Sequence, residues 1–488
     1  MFHLDATLDE IQTHDHMMTD KEFLEREITR FKVSSLRRDM LNGKRYYEGK
    51  HDILLHKRQA IGADGDLVEL KNLPNNRIID NQYKKMVDQK VNYLLGKPIT
   101  FTGDNDKYIE SIKQFFNRRF LRQLKNVGKC SINEGICWLY PMYNEHGEFC
   151  FKTLYGHEID PLWRDSEHTE LEGAIRLYLV PVYEPNKDIR FEEKVEIFDD
   201  SGIWYFHLDG NSLVAEEPFH QSYFMVDDES YNWERIPLIA FKRDANETPL
   251  IKCVKSLQDG LNLILSNFQN NMEEDSRNTI LILVNYDGEN LGTFRQNLAT
   301  YGAVKVKTVD GAAGDLKTLQ VEVNAENYKA ILEIFKKAII ENAMGYDAKD
   351  DRLSGNPNQM NIQSMYSDID LDANEMEMEF QAAFEELLWF VKCHLHNAGI
   401  GDYTDEEVDV IFNRDILINE TEVITNIQNS AGILSDETLI SNHPWVDDPQ
   451  DEIRKVKEQN KDTTYPASFL HNHDHDHDSD GADKDDDE

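Results

Sequence analysis

Between residues 248 and 399 the chain carries three long runs of helical periodicity, separated by a strand-like stretch and a polar loop. The first run, 249–274, opens with Thr248 and Pro249, which suit an N-cap and a first helical turn. Val254, Leu257, Leu261, Ile264, Leu265, Phe268 and Met272 mark one face of it. At 1.5 Å per residue it would be about 38 Å long. The second run opens at Asn324, carries Tyr328, Ile331, Leu332, Phe335, Ala338 and Ile339, and stops at Gly345. The third, 363–397, places Met365, Ile369, Met376, Phe380, Phe384, Leu387, Leu388, Val391 and Leu395 on its apolar face and ends at Gly399. Strand-like pieces NTILILVNY, GAVKVKTV and LKTLQVEV fall between the first two runs. A small β module over 276–323 is therefore expected at the end of two helices, projecting from any compact core and open to docking partners. The loop GYDAKDDRLSGNPNQMN, 345–361, joins the second and third runs. It is too long for an ordinary helix link, which takes about 2–8 residues.

The preceding part of the chain is mixed. Helices are expected over 38–54 and within PNNRIIDNQYKKMVDQKVNYLLGKPITF, where Ile79, Tyr83, Met86, Val87, Val91, Leu94 and Leu95 recur at helical spacing before Gly96 and Pro98. Two shorter helices are expected around 108–116 and 120–132. The runs ICWLYPMY and FCFKTL, joined by NEHGE, read as a hairpin, with further strands at AIRLYLVPVY, EKVEIF, GIWYFHL and PLIAFK. Residues 1–247 thus predict an α+β region with a peripheral sheet. After residue 401 the pattern is one of short helices with starts at Asn419 with Glu422, at Ser435, and at Asp448 before Pro449. No internal repeat at a solenoid period is present.

With 488 residues and 40% hydrophobic content, the chain can build more than one structural region. No long uncharged apolar run occurs, and MFHLDATLDEIQTHDHMM has neither the basic flank nor the apolar stretch of a signal peptide, so a cytoplasmic protein without a membrane partner is expected. Cys130, Cys137, Cys150, Cys253 and Cys393 form no CxxC pair and are expected as reduced, mostly buried thiols. The formal charge is −40, part of it in the solvated tail HNHDHDHDSDGADKDDDE. Such a surface cannot gain broad counterion-release affinity for DNA, because that affinity comes from Lys and Arg neutralising phosphates.

Catalytic and cofactor signatures are missing. Gly128-Lys129 comes nearest to a nucleotide-binding loop, but Gln123 stands where the first glycine belongs, and Cys130 replaces the Ser or Thr that would hold magnesium. His471, His473, His475 and His477, interleaved with Asp474, Asp476 and Asp478, offer suitable metal donors without a fold to arrange them, so a solubilising tail is the default. No nucleophile elbow, HExxH motif or EF-hand loop occurs. A non-enzymatic protein without cofactor or bound metal is expected.

The order of these features resembles the portal protein family of tailed bacteriophages, in the branch found in long-tailed phages of Gram-positive bacteria. The resemblance is carried by PNNRIIDNQYKKMVDQKVNYLLGKPITF, by VKSLQDGLNLILSNFQNNMEED followed by TILILVNY, by MYSDIDLDANEMEMEFQAAFEELLWFV, and by GILSDETLISNHPWVDDPQDEIRKV, and spans about 38–457. It implies a ring of about twelve subunits around a channel at one capsid vertex, a closed cyclic assembly, through which DNA is packaged and later ejected. It also implies a portal-type α+β subunit: a wing over 1–248 joined by a long helix, 363–400; stem helices over 249–275 and 324–344; a β clip over 276–323; a tunnel loop over 345–362; and a helical crown over 401–460. Residues 461–488 are left as an acidic tail without a role. The implied partners are further copies of the chain, double-stranded DNA without sequence specificity, the terminase large subunit, head–tail adaptors, and capsid and scaffold proteins, in a virion assembled in host cytoplasm. A minor capsid or head-assembly scaffold without a channel is the alternative, and a metal-dependent nuclease a more distant third.

On that reading, Lys349, Arg352, Asn356, Asn358 and Gln359 of the loop would face DNA. The two cations partly offset Asp347, Asp350 and Asp351, while the amides touch phosphates without reading sequence. Within the clip, Tyr286, Arg295, Lys305 and Lys307 are the candidate docking residues.

Overall fold

The computed structural model describes residues 21–61, 64–71, 73–183, 188–226, 228–275, 280–284, 315–319, 325–349, 359–414, 420–446 and 449–462. The chain divides into two units, Met1–Asp351 with Gln363–Ile416, and Arg352–Ile362 with Leu417–Glu488.

The first unit opens with helices α1 (Lys21–Val33) and α2 (Ser35–Tyr47), the second capped by Ser34, whose hydroxyl accepts from the Arg37 amide at 3.1 Å. The single helix expected over 38–54 is thus shorter: it ends at Tyr47, Gly49 takes the left-handed φ of 81°, and Asp52–Leu55 forms a separate 3-10 turn. A small hairpin of β1 (Gln59–Ile61) and β2 (Leu67–Glu69) precedes α3 (Gln82–Leu95), which Asn81 caps. Gly96 ends α3 in a right-handed conformation, φ −68°, so its role there is not a left-handed turn. Strand β3 (Thr100–Thr102) and helices α4 (Asp106–Lys113) and α5 (Arg118–Glu134) follow.

The expected hairpin is present as β4 (Ile136–Tyr143) and β5 (Phe149–Tyr155). Next come β6 (Ile159–Trp163), β7 (Leu171–Val182), β8 (Arg190–Asp199), β9 (Gly202–Asp209) and β10 (Ser212–Gln221), an antiparallel meander in the order β10-β9-β8-β7-β6. A short hairpin of β11 (Phe224–Val226) and β12 (Glu229–Tyr231) leads to β13 (Ile239–Lys242), which completes a three-stranded sheet β13-β4-β5.

Three long helices then appear where periodicity predicts them: α6 (Ile251–Asp275), α7 (Ala325–Asn342) and α8 (Gln359–Asn397). The first turn of α6 is tight, with the Lys252 and Cys253 amides donating to Pro249 and Leu250, and Thr248 precedes it as part of the Asp244 turn rather than as a cap. Helix α8 starts at Gln359 and not at 363, so the last residues of the expected loop are helical. Between α6 and α7, β14 (Ile280–Val284) pairs antiparallel with β15 (Asp315–Leu319), while the piece GAVKVKTV lies outside the described residues.

Two cores hold this unit together. The larger gathers Phe380, Phe384, Leu387 and Val391 of α8 against Phe116, Phe120 and Phe241, with Tyr83, Val87 and Trp138 fully buried beside them. In the smaller, Phe23, Leu24 and Ile28 of α1 cover Ile175, Leu177, Val195 and Ile197 of the five-stranded sheet. A further strand, β16 (Asp409–Ile411), pairs with β3, and Val410 and Phe412 are buried. Residues 401–416, expected with the C-terminal helices, therefore belong to the first unit. Cys130 and Cys137 are buried, whereas Cys253 is exposed, against the expectation of mostly buried thiols.

The second unit contains α9 (Glu420–Ser430), α10 (Asp436–Ser441) and α11 (Pro449–Asp462). Ser435 caps α10 as expected, accepting from the Thr438 amide at 3.3 Å, and Pro449 opens α11. Asn419 and Asp448 lie outside the described residues. No described helix is long and apolar enough to cross a membrane.

Candidate functional site

Helix α6 carries Gln258, Asn262, Ser266 and Asn270 at four-residue spacing, all of them buried. Four helical residues rise about 6.0 Å and two extended residues about 6.6 Å, so such a stripe stays in step with alternate amides of an extended strand. The segment leading into α3 uses this match. The Asn76, Ile78 and Asp80 amides donate to Asn270 Oδ1 at 2.7 Å, Ser266 Oγ at 2.9 Å and Asn262 Oδ1 at 3.0 Å, and the Tyr83 amide donates to Gln258 Oε1 at 3.0 Å. Two of the stripe's amide groups also donate: Gln258 Nε2 to the Asp80 carbonyl, and Asn262 Nδ2 to His51 Nδ1 at 2.9 Å. That contact leaves His51 Nε2 as the donor to the Tyr46 carbonyl, and burial pulls the imidazole pKa down, so the ring is neutral.

The opposite face of α6 meets α7. Phe268 and Tyr328 pack at 4.9 Å between ring centroids, and Asn271 Nδ2 donates to the Tyr328 hydroxyl at 3.1 Å. Gly260 faces Phe335, where an added Cβ would sit 2.6 Å from Cε1. The predicted apolar faces are in place here, although Ile331 and Ile334 of α7 and Met272 of α6 are exposed.

The loop begins where α7 ends, and its base is firmly built. The Gly345 amide donates to the Ile340 carbonyl and the Met344 amide to Glu341, a Schellman arrangement in which Met344, not glycine, takes the left-handed φ of 50°. Gly345 is closely covered next to it: a Cβ would lie 2.7 Å from Met86 Sδ and 2.9 Å from Gln89 Oε1, so those two side chains would have to shift. Gln89 of α3 brackets Tyr346, accepting from its amide at 3.1 Å and donating to its carbonyl at 2.8 Å. One residue on, Lys90 Nζ reaches the Met344 carbonyl at 3.1 Å and Asp372 Oδ2 at 2.6 Å. Asp372 also accepts from Arg243 at 2.9 Å. Burial pulls the Lys90 pKa down against the opposing charge of Asp372; for Arg243 burial acts the same way, but Asp372 and Asp244 outweigh it. The Tyr346 ring packs on Tyr366 at 4.6 Å, Tyr366 on Tyr93 at 5.6 Å, and the Tyr93 hydroxyl donates to Asp370, which Arg414 also holds.

Of the predicted loop residues, Lys349 is exposed, its amide donating to Asp347 Oδ1 at 3.0 Å. Gln359 is the first residue of α8, and Arg352, Asn356 and Asn358 lie outside the described residues, as do Tyr286, Arg295, Lys305 and Lys307 of the β module and the tail histidines. Gly128 sits inside α5, where an added Cβ would be 2.6 Å from Leu95 Cδ1, so it cradles no phosphate. Sequence reasoning missed Lys90, Asp372 and Arg243 and the polar stripe of α6. The four-residue spacing of Gln258, Asn262, Ser266 and Asn270 was a readable signal for the stripe; the three charges gave none.

The sequence matches the model of the phage portal protein, SPP1 Gp6-like family over residues 34–464. The chain belongs to this family. Two portal proteins are among its relatives: one of Bacillus phage SPP1, 28% identical over 86% of this chain and 83% of the relative, and one of Clostridium phage phiCD119, 28% identical over 87% and 93%. Both are phages of Gram-positive bacteria, in keeping with the branch expected from the sequence. A chain from the virion of a native gene transfer agent particle aligns over 73% of this chain and 88% of its own at 12% identity, with a TM-score of 0.38, too low to carry an argument. Portal family membership makes this a structural component of a phage virion. Residues 1–33 and 465–488 lie outside the match.

Proposed function

We propose that this portal-family chain forms a ring-shaped channel at one capsid vertex, through which double-stranded DNA is packaged and ejected without sequence recognition. The paired helices α6 and α7 are the stem, and the β14–β15 module between them is the clip that docks the ATP-driven terminase large subunit and later a head–tail adaptor. The rest of the first unit is the wing, facing capsid and scaffold proteins, and the helices of the second unit are the crown. The loop after Met344 enters the channel.

The observation that carries this reading, beyond family membership, is the clamp on Met344 and Tyr346: a long polar loop whose base is gripped by Lys90 and Gln89 of α3 is mounted to work from a fixed point. Charge supports a sliding role rather than a gripping one. At −40 per subunit, a ring withholds broad counterion-release affinity from DNA. The chain itself hydrolyses neither ATP nor DNA on this reading, and the partner terminase supplies the energy. Negative-stain microscopy of the purified protein should show closed rings with a central hole. Particles without a hole would leave the chain as a minor capsid or scaffold component.

A further inference from the structure

A groove of about 1220 Å³ in the first unit lies between the five-stranded sheet, the β13 region and one face of α8. That volume exceeds the roughly 300–1,000 Å³ of small-molecule sites, so a chain segment fits it better than a metabolite. On α8 the wall is made by Glu379, Ala382, Ala383, Glu386 and Phe390. The alanines leave room, and the two glutamates stand seven residues apart, about 10.5 Å along the helix.

The cations of the groove are already engaged. Arg164 is within 3.6 Å of Glu172, Lys242 within 3.3 Å of Glu247, and the Arg235 guanidinium lies over Trp389 at 4.6 Å. By contrast, Glu167, Asp200, Glu234, Glu379, Glu385 and Glu386 line it without an ion pair to any described residue. Trp163, only 8% exposed, lines the same groove, and its indole N–H has no acceptor among the described residues. We infer that this groove binds a Lys- or Arg-bearing peptide segment of a partner protein, with Glu379 and Glu386 each receiving one cation.

A peptide in the polyproline II conformation returns a side chain to the same face every third residue, about 9.3 Å along its axis, close to the spacing of the two glutamates. The Trp163 N–H, unpaired among the described residues but closed off from solvent, would meet a peptide carbonyl only if the groove wall gave way. Burial holds both glutamate pKa values above the usual carboxylate range, and a bound ammonium or guanidinium would relieve that cost. The chain's own ends are poor occupants: residues 1–20 contain no Lys or Arg, and 463–488 contain only Lys484. The inference does not depend on the channel reading.

The test uses the full chain and a fluorescein-labelled twelve-residue peptide with lysine at every third position and alanine or glycine between, followed by anisotropy at physiological salt. The double variant Glu379→Gln/Glu386→Gln should bind at least tenfold more weakly. The control Asp436→Asn/Glu437→Gln, which removes the same charge from exposed α10, should bind like the parent. Replacing these half-buried carboxylates, which hold no ion pair with a described residue, by amides of the same shape removes a partly desolvated charge, so folding is preserved. Equal weakening in both double variants would mean general attraction to an acidic chain, and no weakening would mean binding elsewhere; either result overturns the inference. So would a peptide that binds the monomer but not the assembled protein, since the groove would then be covered by a second copy.

Discussion

Lys90 and Asp372, 282 residues apart in sequence, form a buried ion pair with Nζ 2.6 Å from Oδ2. The pair joins α3 to α8, and because Lys90 also holds the Met344 carbonyl, it fixes where the loop leaves α7. Its two halves are not equivalent. Removing Asp372 strands Lys90 and leaves Arg243 with Asp244 alone, whereas removing Lys90 leaves Asp372 with Arg243. Asp372→Ala should therefore cost about 3–5 kcal/mol and Lys90→Met clearly less. Urea denaturation of both variants decides it, and the opposite order would refute this account of the network.

Gly345 and Met344 predict changes of opposite sign. Met344→Gly relieves a left-handed side-chain residue and should stabilise by about 0.5–1 kcal/mol. Gly345→Ala pushes against Gln89 and should loosen its grip on Tyr346. Hydrogen exchange at the Tyr346 amide should quicken in Gly345→Ala and not in Met344→Gly; unchanged exchange in both would show that Gln89 is not what secures the loop base.

The polar stripe predicts a cost concentrated at its centre. Asn262→Leu removes the acceptor of the Asp80 amide and the donor to His51, leaving buried groups unpaired, and should destabilise by about 2–4 kcal/mol. Met272→Ala, at an exposed site on the same helix, should change stability by less than about 0.5 kcal/mol. Comparable midpoints for the two variants in chemical denaturation would contradict the ladder's importance.

Asp160 of β6 gives a pH dependence. Burial, with Glu27 nearby, raises its pKa from 3.8 to about 7 against the pull of Arg30 and Arg37. A raised folded-state value favours the protonated form, so the stability Asp160 contributes is full below about pH 3.8 and is lost as pH rises through about 7. Asp160→Asn should then gain on the parent between pH 5 and pH 8, reaching about 1–2 kcal/mol at pH 8. Denaturation midpoints at the two pH values measure the gap, and a gap that does not widen would show that Asp160 is not the titrating group.

Charge reversal in the loop tests the sliding role. Lys349→Glu/Arg352→Glu turns the two cations that offset Asp347, Asp350 and Asp351 into further repulsion of phosphate, and should reduce the DNA packaged per particle while leaving ring assembly intact. Packaging and ejection at parental levels would remove any role for these two side chains.

The apolar periodicity of the three long helices, the hairpin at β4 and β5 and the cap at Ser435 were legible in the sequence because each depends on residues a few positions apart. Strands β10 and β16 were not: β10 is mostly exposed, and β16 is three residues long and exists through its pairing with β3. Family membership too was legible from segment order. What only the tertiary structure decided is which polar groups meet. In a chain with 92 Asp and Glu, nothing local distinguishes Asp372 from its neighbours, and Gln258, Asn262, Ser266 and Asn270 read as a solvated face until residues 76–83 lie against them. Short-range periodicity fixes a helix and its faces; the partner of a buried charge or amide is chosen by long-range packing, where leaving it unpaired costs most.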